Sequence, residues 1–206
     1  MATRTRRTQE ERKAETRSAL IDGAIATVFR LGYGGATTPI IAEEAGVSRG
    51  ALTHHFESRA DLMASVVTCV YERELDHYAM LTAGSDRGSR LSDWPELLWE
   101  VLSKPSGLAV LEILQATRSD PDLAVRVKPV QVAIEQASLD AVKVRFGGDD
   151  RTRHAIVRLL VWAVRGLTIE RVLVSNPEVV RDSIDMLRVL FERFAPDGGM
   201  DGFVLE

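Results

Sequence analysis

A glycine-centred turn between two short amphipathic segments constrains this chain more than any other feature. It lies within residues 37–62, which read TTPIIAEEAGVSRGALTHHFESRADL. Gly46 supplies the left-handed backbone that ends a helix tightly, and Ser48 is a strong N-cap for the next helix. A third helix starts directly afterwards, where Ser58 and Asp61 form a capping-box-like pair. The spacing predicts a helix-turn-helix.

The apolar positions of this stretch fit the same interpretation. Thr37 or Thr38 can cap the first helix, and Pro39 suits its first turn. Ile41, Ala42 and Ala45 share one helical face, and Leu52 and Phe56 anchor the second helix one turn apart. The second helix is therefore expected to expose its polar residues.

Those polar residues suit contact with a DNA groove. Arg49 can pair in bidentate fashion with N7 and O6 of guanine. Gly50 carries no side chain, so the backbone can come close to DNA. Thr53 and His54 can donate to phosphates or base edges. The alternative is that these residues form only the solvated face of a small helix.

Charge is uneven along the chain. The 206 residues carry a net charge of −4, but residues 1–60 hold nine Lys and Arg against seven Asp and Glu, and residues 61–206 hold 17 against 23. The opening residues MATRTRRT contain Arg4, Arg6 and Arg7 and no acid. A basic arm beside a helix-turn-helix is expected of a DNA-binding protein, because arginines neutralise phosphates. A solubilising tail is the alternative.

A set of residues at fixed spacing spans residues 32–67: Gly32-Tyr33, Thr37-Thr38, Ile41-Ala42, Ala45-Gly-Val-Ser48, Gly50, Leu52, His55-Phe56 and Ser58-Arg59. This set resembles the tetracycline-repressor (TetR) family of one-component transcriptional regulators. The chain length and the order of its parts agree with the family. The resemblance and the chemistry above together predict these DNA-binding residues: Arg4, Arg6, Arg7, Thr37, Thr38, Ser48, Arg49, Gly50, Thr53, His54, His55 and Arg59.

Two positions depart from the family pattern. The family usually carries Tyr, a common phosphate contact, where this chain has Thr53. Thr keeps the hydroxyl but loses the reach of the ring. Pro39 removes a polar contact from the first helix of the motif. These departures keep an alternative open, in which the chain is an all-helical ligand-binding or interaction module with a vestigial DNA-reading head.

The remaining sequence predicts only helices. No alternating strand pattern competes, so the predicted fold is all-α, with about nine helices. We expect a basic arm and three-helix DNA-binding domain at residues 1–58 and a helical effector-binding and dimerisation domain at residues 59–206. A helix starting near Arg59 is long enough to link the two parts.

The last two predicted helices carry an extensive apolar surface. A helix that is apolar on most faces must be buried on more than one side. A symmetric four-helix dimer interface or a central core position would both satisfy this requirement. The resemblance favours the dimer, and with it a palindromic DNA site. The residues predicted at the interface are Leu160, Val164, Leu167, Val180, Ile184, Leu187 and Phe191.

The resemblance also implies a small-molecule effector that binds among the C-terminal helices. Aromatic walls with a few polar groups suit such sites, although ordinary core packing is the alternative for each tryptophan. The candidates are Tyr71, Trp94, Trp99, Gln115, Trp162 and Arg165. Their apolar bias predicts a hydrophobic or amphipathic effector. Members of the family usually act as repressors, so the resemblance favours a repressor over an activator.

Other classes of protein find little support in the sequence. His54 and His55 are adjacent and so point in different directions, and no catalytic or metal-binding motif is present, so we expect no enzyme, no metal and no cofactor. The single cysteine, Cys69, forms no internal disulfide, which fits a reducing cytoplasm. No apolar run is long enough to span a membrane, and the N-terminus does not read as a signal peptide.

Overall fold

Helices make up the regular structure of the protein. The computed structural model describes residues 8–173 and 176–203, and within these ranges it contains nine α-helices and no strand. The all-α prediction is confirmed. The helices are α1 (Gln9–Gly35), α2 (Thr38–Glu44), α3 (Arg49–His55), α4 (Arg59–Thr82), α5 (Trp94–Leu102), α6 (Pro105–Ala116), α7 (Pro121–Phe146), α8 (Asp150–Leu173) and α9 (Pro177–Phe194). A 3-10 turn at Leu91–Asp93 precedes α5.

The chain forms two compact units that are not continuous in sequence. The first comprises the chain up to Cys69 together with Ala109–Lys128, and the second comprises Val70–Leu108 and Pro129–Glu206. Helices α4, α6 and α7 each contribute residues to both units. The predicted boundary between residues 58 and 59 differs from the boundaries of these compact units. The predicted division into a DNA-binding and an effector-binding domain stays a prediction.

The helix-turn-helix forms as the local signals predict. Gly46 has a φ of 66° and ends α2, and the Ser48 side chain accepts a hydrogen bond from the amide of Ala51 at 3.1 Å, which caps α3. Leu52 and Phe56 are each 2% exposed and anchor α3 to the core. The predicted side-chain cap at Thr37 is absent, although Thr37 does occupy the N-cap position before Pro39.

Helix α1 supports the two short helices. Its N-terminus carries a capping box between Thr8 and Glu11. Its buried side chains include Leu20, Ala24 and Val28, each 0% exposed. The regular helix breaks at Gly32, where φ is 71° and ψ is 167°, before α1 ends at Gly35.

The core of the second unit is formed mainly by α5, α8 and α9. Its buried side chains are Leu91, Leu98, Leu102, Phe146, Ile156, Leu160, Val164, Ile184, Phe191, Ala195 and Met200. Asn176 caps α9 by accepting a hydrogen bond from the Glu178 amide at 3.0 Å. Within the described residues, no helix is both long enough and apolar enough to cross a membrane.

The side chains predicted at a dimer interface are largely buried within the chain, and six of the seven belong to or pack against this core. Five of them, Leu160, Val164, Val180, Ile184 and Phe191, are at most 8% exposed. The other two, Leu167 and Leu187, pack half-buried against the same core. Burial within one chain leaves these seven side chains little surface for a partner, so this arrangement does not support the predicted interface, which stays untested. Helices α8 and α9 carry two apolar stripes each, and the chosen residues form the stripes that the chain buries against itself.

The second stripe of each helix lies on the surface. Its members recur at helical spacing and are each at least 39% exposed: Leu159, Trp162, Ile169 and Leu173 on α8, and Val179, Met186, Leu190 and Phe194 on α9. Gly166 is exposed between Trp162 and Ile169. Such a continuous apolar surface is typical of a protein interaction site.

Candidate nucleic-acid interface

Helix α3 presents a polar outer face. Arg49, Gly50, Thr53 and His54 are all exposed. The side chain of Leu52 points the opposite way into the core, which fixes the rotation of the helix about its axis. The cap at Ser48 fixes where the helix starts. The structure therefore brings these four predicted residues together on one accessible surface.

Gly50 is not required by the packing of the chain. A Cβ atom added at Gly50 would meet only the Ser48 Oγ, at 3.9 Å, among the atoms within 4 Å. Glycine destabilises a helix relative to alanine by roughly 0.5–1 kcal/mol. The absence of a side chain here leaves the helix backbone open to a partner outside the chain.

The hydroxyl of Thr53 bonds along its own helix. Thr53 Oγ1 donates to the carbonyl oxygen of Gly50 at 3.1 Å, with the Arg49 carbonyl oxygen at 3.4 Å. A hydroxyl that donates in this way still has lone pairs, but it must rotate to donate to a phosphate. Thr53 is thus a weaker phosphate donor than its exposure alone suggests.

His55 belongs as much to the core as to the surface. It is half-buried, and its pKa is lowered, first by burial and then by the nearby charges of His54, Lys13 and Arg17. The Arg17 guanidinium lies 4.4 Å from the ring centroid of Phe56 and donates to the Ser65 Oγ at 2.9 Å. The neighbouring His54 is the exposed member of the pair.

Lys13 and Arg17 are cations that the sequence analysis did not single out. Both are exposed on α1, four residues apart, and both act electrostatically on His55 at the end of α3. The signal for them was weak, because two basic residues one turn apart in an amphipathic helix are normally only a solvated face. They add positive charge beside the exposed face of α3.

Arg59 has internal partners. Its guanidinium carbon lies 3.9 Å from the centroid of the Tyr33 ring. Its Nε donates to the Ala36 carbonyl oxygen at 2.9 Å, and its Nη2 donates to the carbonyl oxygen of Tyr33. These bonds hold α4 to the end of α1. The predicted phosphate contact of Arg59 is not supported by this arrangement, so we leave Arg59 out of the interface.

The Tyr33 hydroxyl extends the same cluster to the start of α7. It donates to a carboxylate oxygen of Asp120 at 2.6 Å. Burial and this hydrogen bond raise the pKa of Tyr33 to about 12. The same hydrogen bond is the main cause that lowers the pKa of Asp120. Tyr33, Arg59 and Asp120 together brace the first unit, and all three line a pocket there.

The remaining predicted DNA contacts have varied positions. Thr37 is exposed and Thr38 half-buried at the start of α2. Ser48 is exposed and acts as the cap of α3. Arg4, Arg6 and Arg7 lie outside the described residues, so the role of the arm stays a prediction.

The predicted effector residues do not form one cluster. Gln115 is exposed and belongs to the first unit, whereas the other five belong to the second. Trp162 is 48% exposed on the outer stripe of α8. Trp94 and Trp99 pack against the core of the second unit, and the Trp94 Nε1 donates to the Gly88 carbonyl oxygen at 3.1 Å. Tyr71 and Arg165 remain as half-buried polar residues.

Glu74 is a buried acid that the sequence analysis missed. It is 9% exposed in the second unit, and Arg165 and Lys104 are the charges that act on it. It lies three residues after Tyr71 and four before Tyr78, on one face of α4. That spacing was available as a signal, but a glutamate in a helix is usually exposed. The described residues contain no cluster of three or more side chains suited to hold a metal ion.

Comparison with known proteins identifies relatives over most of the chain. A family model described as "Bacterial regulatory proteins, tetR family" matches residues 20–66. An uncharacterised HTH-type transcriptional regulator of Mycobacterium tuberculosis is 30% identical over 189 residues, which are 89% of this chain and 96% of that protein.

Solved structures show the same fold. A TetR-family member from Streptomyces coelicolor has a TM-score of 0.62 at 24% identity and covers 86% of this chain and 98% of its own. The multidrug binding protein EbrR, solved in complex with imidazole, has a TM-score of 0.56 at 24% identity and covers 85% of this chain and 94% of its own. The helix-turn-helix described above occupies the region that the family model matches.

Proposed function

Because this chain belongs to the TetR family of HTH-type transcriptional regulators, we propose that it is a dimeric repressor that leaves a palindromic DNA site when a small molecule binds. The observation that carries the DNA-binding part is the outer face of α3, where Arg49, Gly50, Thr53 and His54 are exposed together. Gly50 has no role in the packing of the chain that would account for it.

Arg49 is the residue that we assign to base recognition. It lies at the N-terminus of α3, the end of a recognition helix that contacts base edges in the major groove. Thr53, His54 and the cation Lys13 are assigned to phosphates, where they contribute affinity but little sequence preference. The basic arm at residues 4–7 adds further phosphate contacts in this proposal.

The outer stripes of α8 and α9 are the proposed dimer interface. They offer eight exposed apolar side chains at helical spacing, and Gly166 allows the helices of two protomers to approach closely. A two-fold axis through these stripes makes a four-helix interface. Two-fold symmetry then requires a palindromic DNA site with half-sites about one helical turn apart.

Release by an effector is the third part of the proposal. EbrR, which shares the fold, is a multidrug binding protein, and this supports a ligand site among the C-terminal helices here. The ligand needs only to bind more tightly to the conformation that does not fit DNA. Helix α4 contributes residues to both units and is the proposed link between ligand and α3.

Selection of DNA from a random duplex pool tests the DNA-binding part. We expect the purified wild-type protein to enrich a palindrome, and we expect Arg49→Ala to relax the preference at one base position of each half-site, at a cost of about 1–3 kcal/mol. Arg118→Ala is the matched control, because Arg118 is exposed in the same unit but lies outside α2 and α3.

Two outcomes of this selection would contradict the proposal. If no sequence is enriched even at low salt, the chain is a ligand-binding module with a vestigial reading head. If Arg49→Ala selects the same palindrome as the wild type with the same affinity, base recognition lies elsewhere. A reporter gene placed behind the selected site separates a repressor, which lowers expression, from an activator.

A further inference from the structure

A polar cluster lies inside the second unit, among side chains that are mostly apolar. Helix α4 contributes Tyr71, Glu74 and Tyr78, which share one helical face. Arg165 of α8 and Lys104, directly before α6, act electrostatically on Glu74. The charges therefore come from three separate parts of this unit. Charged side chains that converge from separate elements are typical of a binding site.

Two charged side chains of the cluster have atoms without hydrogen-bond partners. Glu74 Oε1 and Arg165 Nη1 are both inaccessible to solvent, and neither has a partner among the described residues. Glu74 and Arg165 are not joined by an ion pair within 4 Å. Buried polar atoms left unpaired are costly, so they are rare unless something else supplies the partner.

Two other polar groups of the cluster have partners within the chain. The Tyr71 hydroxyl lies 3.2 Å from the Ser138 Oγ. The Lys104 Nζ lies 3.0 Å from the His77 Nε2. Glu74 Oε1 and Arg165 Nη1 still need a partner, and the electrostatic interaction between the two residues shows that they lie near each other.

The charges of the cluster favour an anionic partner. Arg165 and Lys104 supply two positive charges, and Glu74 supplies at most one negative charge. An ammonium group at Glu74 would also lie close to both cations, whereas a carboxylate would satisfy the free donor of Arg165. A ligand that carries one negative charge offsets part of this positive charge.

Glu74 can act as the second donor to such a ligand. Burial raises the pKa of Glu74, although the charges of Arg165 and Lys104 lower it. A bound anion beside Glu74 raises its pKa further. The carboxyl group then takes up a proton and donates that proton to the ligand carboxylate, as in other pairs of close carboxyl groups.

We propose that the effector is an organic acid with an apolar body, whose carboxylate accepts hydrogen bonds from Arg165 Nη1 and from the protonated carboxyl group of Glu74. This inference rests on the proposed effector site of the second unit. The apolar body of the ligand lies toward the aromatic side chains near the cluster, where the Tyr78 and Trp94 ring centroids are 5.6 Å apart.

Calorimetric titration of the full-length protein with matched ligands tests the charge preference. One series is decanoate, decan-1-ol and decylammonium, and a second is benzoate, benzyl alcohol and benzylammonium. We expect the carboxylate to bind tightest in at least one series at pH 7. The proposal is overturned if the alcohol or the ammonium binds as tightly as the carboxylate, or more tightly, in both series.

Substitutions at the two unpaired residues test the geometry. Arg165→Met should weaken binding of the preferred carboxylate by about tenfold to a hundredfold, because a hydrogen bond to a charged group is lost. Arg165→Lys should restore part of the affinity. Arg158→Met is the matched control, because Arg158 lies on the same helix at an exposed position, paired with Glu135 at 2.6 Å. An equal loss in both Met variants would contradict the proposal.

Glu74→Gln distinguishes a donor from an anion at this position. The glutamine amide can donate to a carboxylate, so this variant should keep the carboxylate affinity of the wild type. Wild-type affinity should fall as the pH rises from 6 to 9, because binding takes up a proton at Glu74, and this dependence should be absent in the variant. The charged and titratable groups around Glu74 are Arg165 and Lys104, which act on it, and Tyr78, on which it acts; His77 lies behind Lys104, with its Nε2 3.0 Å from the Lys104 Nζ. Loss of binding in Glu74→Gln would overturn the assigned role.

Failure of this inference and failure of the proposed function give different results. If a carboxylate binds at Arg165 but the complex with the selected DNA persists, the proposed binding site is correct. The proposal that this ligand releases the DNA is then wrong. If no carboxylate is preferred while another compound releases the DNA, the inference fails and the proposed function stands. Circular dichroism of each variant confirms that a loss of binding does not come from unfolding.

Discussion

At the scale of single residues, the empty space around Gly50 allows a substitution that should weaken DNA binding without lowering the stability of the fold. Gly50→Leu adds a side chain where only Ser48 Oγ approaches within 4 Å, and leucine has a better helix propensity than glycine. We expect the thermal midpoint to stay the same or rise while DNA affinity falls by about tenfold or more. Thermal unfolding and fluorescence anisotropy on the selected site measure the two effects. If Gly50→Leu binds DNA with wild-type affinity, α3 does not belong to the DNA interface.

The bond between Tyr33 and Asp120 gives the first unit a dependence on pH. The pKa of Asp120 is lowered below its ordinary 3.8, so the stability from this bond is present above that value and is lost as the pH falls through the lowered one. We expect Tyr33→Phe to be less stable than wild type at pH 6, and we expect the difference to shrink below pH 3.8.

Denaturant unfolding at a series of pH values measures this difference. Tyr71→Phe is the matched control, because the Tyr71 hydroxyl pairs with the uncharged Ser138. Its effect on stability should not change between pH 6 and 3. If the two tyrosine variants respond to acid in the same way, Asp120 does not carry the dependence.

At the scale of the helices, the crossing of α1 and the end of α2 depends on a glycine. A Cβ atom added at Gly23 would lie 3.0 Å from both the backbone nitrogen and the Cβ of Ala45. Because the crowding involves backbone, relief requires the helices to separate. We expect Gly23→Ala to destabilise the protein by about 1–3 kcal/mol. Gly50→Ala, at an uncrowded helical glycine, should not, and equal effects on thermal unfolding would contradict this account.

Local signals made the helix-turn-helix predictable from the sequence. Gly46, Ser48 and the apolar pair Leu52 and Phe56 act within a few residues of themselves, so their roles can be predicted without a structure. The role of Arg59 could not be predicted in this way. Its partners Tyr33 and Ala36 lie more than twenty residues earlier in the chain, and only the folded unit brings them together.

The same limit applies to the choice of interface residues. Helices α8 and α9 each have two apolar stripes, and helical spacing identifies both stripes without saying which one faces the chain's own core. Glu74 was missed for a related reason. A glutamate on α4 looks like a surface residue until the burial contributed by distant parts of the second unit is known.

At the scale of the whole molecule, the two stripes predict opposite results for charged substitutions. Leu190 is 42% exposed and Phe191 is 8% exposed, although they are neighbours on α9. We expect Leu190→Glu to give a folded monomer, because it places a charge in the proposed dimer interface alone. We expect Phe191→Glu to cost about 3 kcal/mol or more in folding stability, because it buries an unpaired charge.

Sedimentation and thermal unfolding of both variants test this distinction. A Leu190→Glu protein that remains a dimer with unchanged affinity would move the interface away from α9. Trp162→Glu on α8 provides an independent check, since Trp162 belongs to the outer stripe of the other helix. Both outer-stripe variants should share the same hydrodynamic behaviour.

The discontinuous first unit affects how this protein can be divided or recombined. Residues 109–128 fold with the reading head, although some forty residues of the other unit separate them from Cys69 in the chain. They supply Asp120 to Tyr33, and they supply Arg126 to Glu57 at 3.1 Å. A chimera that joins residues 1–69 to a foreign sensor would leave these partners behind. The DNA-binding unit therefore cannot be transferred to another protein as one continuous segment. A functional chimera has to include both residues 1–69 and residues 109–128.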